Sequence, residues 1–373
     1  MVVSVPPVSP ERVAAAVRAR HDELLELLAL RAEAIASALR RELGLVAWDS
    51  QVVISRAQLG LRRLVGGGSS SALRYGPAVR IIERARQPLE CLPVVWGALL
   101  RGCQVWLEAE AGASTAAIDV LRTIDERLRA DGIEALMISA GDVDAEAPEE
   151  VERWPLVGVE PALSRLAVVS EDGDRELAAY VLARTCLRRS GDEPRTIHHA
   201  LVCGPTHRLE RYLQRLWVGA VIGPAEDPES FTGPVGAGLA DAYLRALDRW
   251  RDQPGVRVLL QGGRLERADD DGIFLAPALF RLQWPLPEGC RLPGGPELPV
   301  VGPMLLLYTV EAVEAVEAGV IEEVSRVLGF SASQQLWIAP PPRGGVPSEG
   351  PRYVQGALIV ERMPPGLPEP RPV

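Results

Sequence analysis

The first part of the chain alternates apolar and charged residues on a helical period. From Ser9 to about Leu64, Val, Ala and Leu recur three and four residues apart between charged positions, which predicts helices over 12–20 and 23–43. Gly66-Gly-Gly-Ser-Ser-Ser71 breaks that pattern. Beyond it, short apolar runs alternate with amphipathic stretches. Ala78-Val-Arg-Ile-Ile82 reads as a strand, 92–100 as an apolar helix and Gln104-Val-Trp-Leu107 as a strand. An amphipathic helix over 114–130 and a strand, Ala135-Leu-Met-Ile-Ser139, follow. The acidic stretch 141–154 has no strong period and is expected to cross between domains as a loop. A second series then begins: strand Leu166-Ala-Val-Val169, helix 175–187, strand 197–202 and helix 209–218. Past Ile338 the chain becomes proline-rich, with one apolar strand, Ala357-Leu-Ile-Val360, before the tail. Strands alternating with helices predict an α/β protein with parallel sheets and helices on their faces.

Composition narrows the function classes. The 373 residues suit two domains that each bury a core, and 47% hydrophobic with 24% charged residues is ordinary for a globular chain. A net charge of −10 argues against nucleic acid or anionic membrane as a partner, because both reward clustered cations. No run approaches the roughly 20 apolar residues that span a bilayer, and Met-Val-Val-Ser-Val-Pro-Pro at the start lacks the basic region of a signal peptide. A cytoplasmic location is expected. The five cysteines (Cys91, Cys103, Cys186, Cys203 and Cys290) are odd in number and scattered, as reduced buried thiols are. The chain contains neither Lys nor Asn, and all 40 basic residues are arginines. No mechanism that needs a lysine amine or an asparagine amide is therefore open to it.

His198, His199, Cys203 and His207 have spacings that would stack metal ligands on one helix. The residues between them read as a strand, Ala200-Leu-Val202, broken by Gly204-Pro205, so no metal site is expected. Trp96, Trp106, Trp217 and Trp337 could line a ligand tunnel, although core packing is their commoner use.

Several pieces of the chain resemble, in order, those of the aldehyde dehydrogenases. Pro93-Val-Val-Trp-Gly-Ala-Leu-Leu-Arg-Gly-Cys-Gln-Val-Trp-Leu107 resembles the segment after that family's Asn-Phe-Pro motif. Glu160-Pro-Ala-Leu-Ser-Arg-Leu-Ala-Val-Val169 resembles its Glu-Leu-Gly-Gly-Lys segment, and Val218-Gly-Ala-Val-Ile-Gly-Pro-Ala-Glu-Asp-Pro-Glu-Ser-Phe-Thr-Gly-Pro234 its Val-Gly-Asp-Pro loop. Leu260-Gln-Gly-Gly263, Gly272-Ile-Phe-Leu-Ala-Pro277, Val301-Gly-Pro303, Gly329-Phe-Ser-Ala-Ser333 and Arg343-Gly-Gly-Val346 complete the series. The resemblance implies a degenerate Rossmann-type N-terminal domain over 1–159 and a catalytic-like α/β domain over 160–337. It implies a C-terminal segment, 338–373, whose strand would serve oligomerisation. It also implies a shortened member, without the projecting oligomerisation hairpin and part of the dinucleotide-binding crossover.

The resemblance also says where chemistry should be. A cysteine thiolate attacks the aldehyde, an amide and a backbone N–H hold the oxyanion, a nicotinamide takes the hydride, and a glutamate activates water. In Arg184-Thr-Cys-Leu-Arg-Arg-Ser-Gly-Asp-Glu-Pro194 the nucleophile position is Pro194, which can attack nothing. The oxyanion amide position is Cys91 and the cofactor lysine position is Glu108, an anion where a cation is expected; Glu160 retains the base position. What the matching positions imply is a catalytically inactive aldehyde-dehydrogenase-like protein without a cofactor. Its role would be structural, scaffolding or regulatory, as a homo-oligomer or with an active relative. The alternatives are an NAD- or NADP-dependent oxidoreductase acting on an aldehyde or acyl group by altered chemistry, and a small-molecule binding module.

Overall fold

A computed structural model describes residues 9–65, 77–139, 151, 153–157, 164–266, 272–290, 300–310, 317–339 and 352–353. The chain divides into two compact units, Met1–Pro161 and Ala162–Val373.

The first unit opens with four helices: α1 (Pro10–Ala19), α2 (His21–Leu30), α3 (Ala32–Leu43) and α4 (Ala47–Val65). Ser9 caps α1 by accepting the Arg12 amide at 3.3 Å, with Pro10 at the first helical position, where its missing N–H costs nothing. Gly44, at φ 65°, ends α3 in the left-handed conformation. The helix predicted over 23–43 is in fact two, broken at Arg31 (φ −94°, ψ 7°), and Arg20 separates the first pair in the same way. Neither break carries a Gly or Pro. The helical spacing survives across both turns, so packing rather than composition places them. After α4 come β1 (Ala78–Glu83), α5 (Cys91–Leu99), β2 (Gln104–Ala109), α6 (Ala116–Ala130) and β3 (Leu136–Ile138). The three strands form a parallel Rossmann-like sheet in the order β1-β2-β3. A continuous apolar cluster built around α5 and both neighbouring strands fills the interior.

The outer edge of β1 is occupied at its centre. The Arg80 amide donates to the Pro155 carbonyl at 3.0 Å, and the Val157 amide donates back to Arg80 at 2.8 Å. The chain's own crossover segment occupies this edge.

The second unit contains β4 (Leu166–Val169), α7 (Arg175–Leu187), a short 3-10 turn (Arg188–Gly191), β5 (His199–Cys203), α8 (His207–Val218) and α9 (Ala237–Arg251). It continues with β6 (Arg257–Leu265), β7 (Phe274–Gln283), β8 (Met304–Val310), α10 (Glu317–Leu328), β9 (Gln335–Ile338) and β10 (Arg352–Tyr353). The seven strands lie in the order β10-β9-β4-β5-β8-β7-β6, with only the β6–β7 pair antiparallel. Every residue of β4 and β5 is buried, as expected for central strands covered on both faces. The strand at 357–360 lies outside the described residues. No helix among the described residues is long and apolar enough to cross a membrane.

At the outer edge, β6 is covered by side chains. Gln214 of α8 donates to the Leu259 carbonyl at 3.0 Å, and Arg251 of α9 donates to the Gln261 carbonyl at 2.7 Å.

Candidate functional site

The second unit carries Pro194, the residue that the resemblance sets at the nucleophile position. Asp174 caps α7, accepting the Glu176 and Leu177 amides at 2.9 and 3.1 Å, and the helix runs to Leu187. The backbone then becomes left-handed for three residues: Arg189 at φ 49°, Ser190 at 51° and Gly191 at 79°. Two of these carry side chains, and each such residue costs about 1–3 kcal/mol unless its surroundings enforce it. The surroundings do. The Ser190 amide donates to Thr232 Oγ1 at 2.9 Å, and its hydroxyl donates to the Gly233 carbonyl at 3.1 Å. The hydroxyl also accepts from the Thr232 hydroxyl at 2.8 Å. Gly191 abuts the Gly302 carbonyl so closely that a Cβ there would overlap it. Three distant motif pieces, around Gly191, Thr232-Gly233 and Gly302-Pro303, therefore converge on one turn.

The turn is closed by its own charges. Arg188 and Glu193, both buried, pair at 2.9 Å, and inside them Arg189 faces Asp192 at 4.0 Å. The sequence Arg-Arg-Ser-Gly-Asp-Glu is thus a nested set of opposite charges around a Ser-Gly tip. Its mirror symmetry is visible in the sequence, and the sequence reading missed it. Pro194 follows at the second position of a tight turn closed by the Thr196 amide on the Glu193 carbonyl at 2.9 Å, a place that suits its fixed φ. Proline has no backbone N–H. Position 194 therefore lacks both a nucleophile and a main-chain oxyanion donor. Cys186, eight residues earlier on α7, is fully buried, and burial drives its thiol far above the usual range.

The first unit holds the other two positions. Cys91 is the first residue of α5 and fully buried. Burial first, then the neighbouring Glu83 carboxyl, pushes its thiol well above its ordinary value. Glu83 is itself fully buried. Glu108 on β2 is not a free anion. Arg80 of β1 grips it in a fork, with Nη2 at 2.9 and 3.0 Å from its two oxygens and Nε at 3.2 Å from Oε1. The anion that stands where the resemblance expects a cation is thus engaged by Arg80.

One further acidic residue was not foreseen. Glu42 of α3 sits at the N-terminus of α6, accepting the Thr115 amide at 2.9 Å, the Ser114 hydroxyl at 2.8 Å and the Thr115 hydroxyl at 3.1 Å. Burial opposes its ionisation, but these donors and Arg41 outweigh it and hold the carboxyl below its ordinary range. A helix N-terminus that suits an anion is filled here by the chain itself. Glu160 lies outside the described residues.

The histidines of this stretch do not converge: His199 is buried, His198 half-buried and His207 exposed. His198 Nδ1 lies 2.9 Å from the Met304 carbonyl, and His199 Nδ1 lies 2.9 Å from the Tyr308 hydroxyl. Burial, helped by His198, pushes His199 down to about 3. His207 begins α8, past the turn. Among the described residues no three His, Cys, Asp or Glu side chains are grouped to hold a metal ion.

This architecture is that of the aldehyde dehydrogenases. An aldehyde dehydrogenase from Bartonella henselae superimposes with a TM-score of 0.70 at 15% identity, covering 93% of this chain and 79% of that one. Methylmalonate-semialdehyde dehydrogenase from Oceanimonas doudoroffii gives 0.65 at 15% identity over 91% and 79% of the two chains. A betaine aldehyde dehydrogenase from Staphylococcus aureus, in complex with NAD+, gives 0.64 at 16% over 90% and 77%. No family model matches the sequence, and no curated protein matches it. At such identities the likeness is one of fold.

Proposed function

We propose that this chain is a non-catalytic protein on the aldehyde dehydrogenase fold, acting through association with itself or with an active relative in the cytoplasm. The observation that carries this reading is the turn at 188–196. Pro194 removes nucleophile and amide together, and the buried Arg188–Glu193 pair ties the surrounding backbone into a fixed shape. A fold retains no function by itself; what remains here is a well-packed scaffold. The buried thiols point the same way, because reactive cysteines sit in exposed, electropositive surroundings.

The residues present do not fit a dinucleotide. Glu108 stands in the place that the resemblance gives to a lysine and is engaged by Arg80, while Glu42 fills the N-terminus of α6. No hydride-transfer step is derived for this chain. The test is thermal unfolding of the purified protein with and without millimolar NAD and NADP, followed by an aldehyde oxidation assay. The expected result is no shift and no turnover. A bound cofactor at about 100 times its Kd would add roughly 2.7 kcal/mol, a shift of a few degrees, and would overturn the reading.

A further inference from the structure

Val79, Ile81 and Glu83 share the buried face of β1, so the strand delivers a carboxyl where its alternation calls for an apolar side chain. Glu83 Oε1 accepts the Leu89 amide at 2.8 Å, whereas the buried Oε2 has no hydrogen-bond partner. To make the first bond, Leu89 adopts φ 63°, a left-handed conformation unfavourable for a branched side chain that is itself fully buried. The residues between are fastened to two more carboxylates. The Ala85 amide donates to Glu110 Oε2 at 3.1 Å, and Gln87 Nε2 donates to Glu90 Oε2 at 3.1 Å. Segment 84–90 is thus tied down between the end of β1 and the start of α5, where Cys91 is fully buried.

We propose that segment 84–90 is a proton-controlled latch: it lies closed over Cys91 while Glu83 is neutral, and opens when Glu83 ionises. A neutral carboxyl tolerates this interior. An ionised one has only the Leu89 and Cys91 amides and the Cys91 thiol to set against its burial, which outweighs them. Moving segment 84–90 aside admits water to Oε2 and releases Leu89 from its left-handed conformation. The charged and titratable groups around Glu83 are Glu90 and Cys91 at the start of α5, Glu110 just past β2 and Arg84 next along the chain; Glu108 is paired with Arg80. Burial dominates, and pushes Glu83 up to about 7 against the pull of the Cys91 thiol and the Leu89 and Cys91 amides; Glu90 adds to the rise. The latch does not depend on the chain being non-catalytic.

Hydrogen exchange of the full-length protein, read at residues 84–92 from pH 5.5 to 8.5 and corrected for intrinsic rates, tests this. The closed form binds a proton that the open form releases near the ordinary carboxylate value. Protection should therefore fall as pH rises towards 7 and level off above it, by about thirtyfold across that range. Glu83→Gln keeps the acceptor and cannot ionise, so its protection should stay flat. A flat profile in the unmodified chain, or an unchanged slope in Glu83→Gln, would overturn the latch.

Discussion

The turn at 188–196 and the segment at 83–91 each carry a position that the resemblance singles out, yet they are built on opposite principles. In the turn, buried Arg188 meets Glu193, and Asp192 stands opposite Arg189. At Glu83 a carboxyl is buried with no cation beside it, and burial outweighs the donors it has in the Leu89 and Cys91 amides and the Cys91 thiol. Opposite charges buried as a pair compensate each other. A lone buried acid has no such partner and, pushed up to about 7 by burial, ties its surroundings to pH. In each place the local charge balance decides what the backbone does.

The comparison breaks most severely at Gly191. Replacing it with Ala puts a side chain at φ 79° and a Cβ into the Gly302 carbonyl, so the second unit should lose roughly 4 kcal/mol or fail to fold, read by denaturant unfolding. Glu193→Gln comes next. It leaves Arg188 charged and buried without its carboxylate, and should cost about 3 kcal/mol. Glu83→Gln should have the opposite sign. The folded value near 7 lies above the unfolded 4.5, so ionisation of Glu83 erodes stability as pH rises from 4.5 to 7 and no further beyond. Removing it should stabilise the first unit by up to about 3 kcal/mol at pH 8 and by under about 1 kcal/mol at pH 5. Calorimetry of both proteins at the two pH values decides this. Pro194→Cys should have the smallest effect on stability, about 1 kcal/mol or less. It should restore no aldehyde oxidation, since position 91 still offers a buried thiol in place of an amide; measurable turnover would mean that the single proline had silenced an otherwise complete site.

Much of the fold was legible because it rests on local periodicity. Leu166–Val169 and Arg175–Leu187 were read with the bounds they have. The breaks at Arg20 and Arg31 were not, because the apolar spacing continues across them. Occupation of the β1 edge by Pro155–Val157 depends on a contact some 75 residues apart, beyond any local pattern. Pro194, Cys91 and Glu108 could be picked out by resemblance, but their surroundings could not. Glu83 is the instructive miss. Period-two alternation placed it on the inner face with Val79 and Ile81, and its charge disguised it as the end of the strand.

The covering of β6 has a consequence for how copies of this protein could assemble. An open strand at the end of a sheet is a growth point, and an added strand would need the main-chain groups that Gln214 and Arg251 already engage at Leu259 and Gln261. Those two side chains act as chain terminators. Any higher-order assembly has to displace them or be built from surfaces other than that margin, and a variant that shortens both would expose a template for uncontrolled polymerisation.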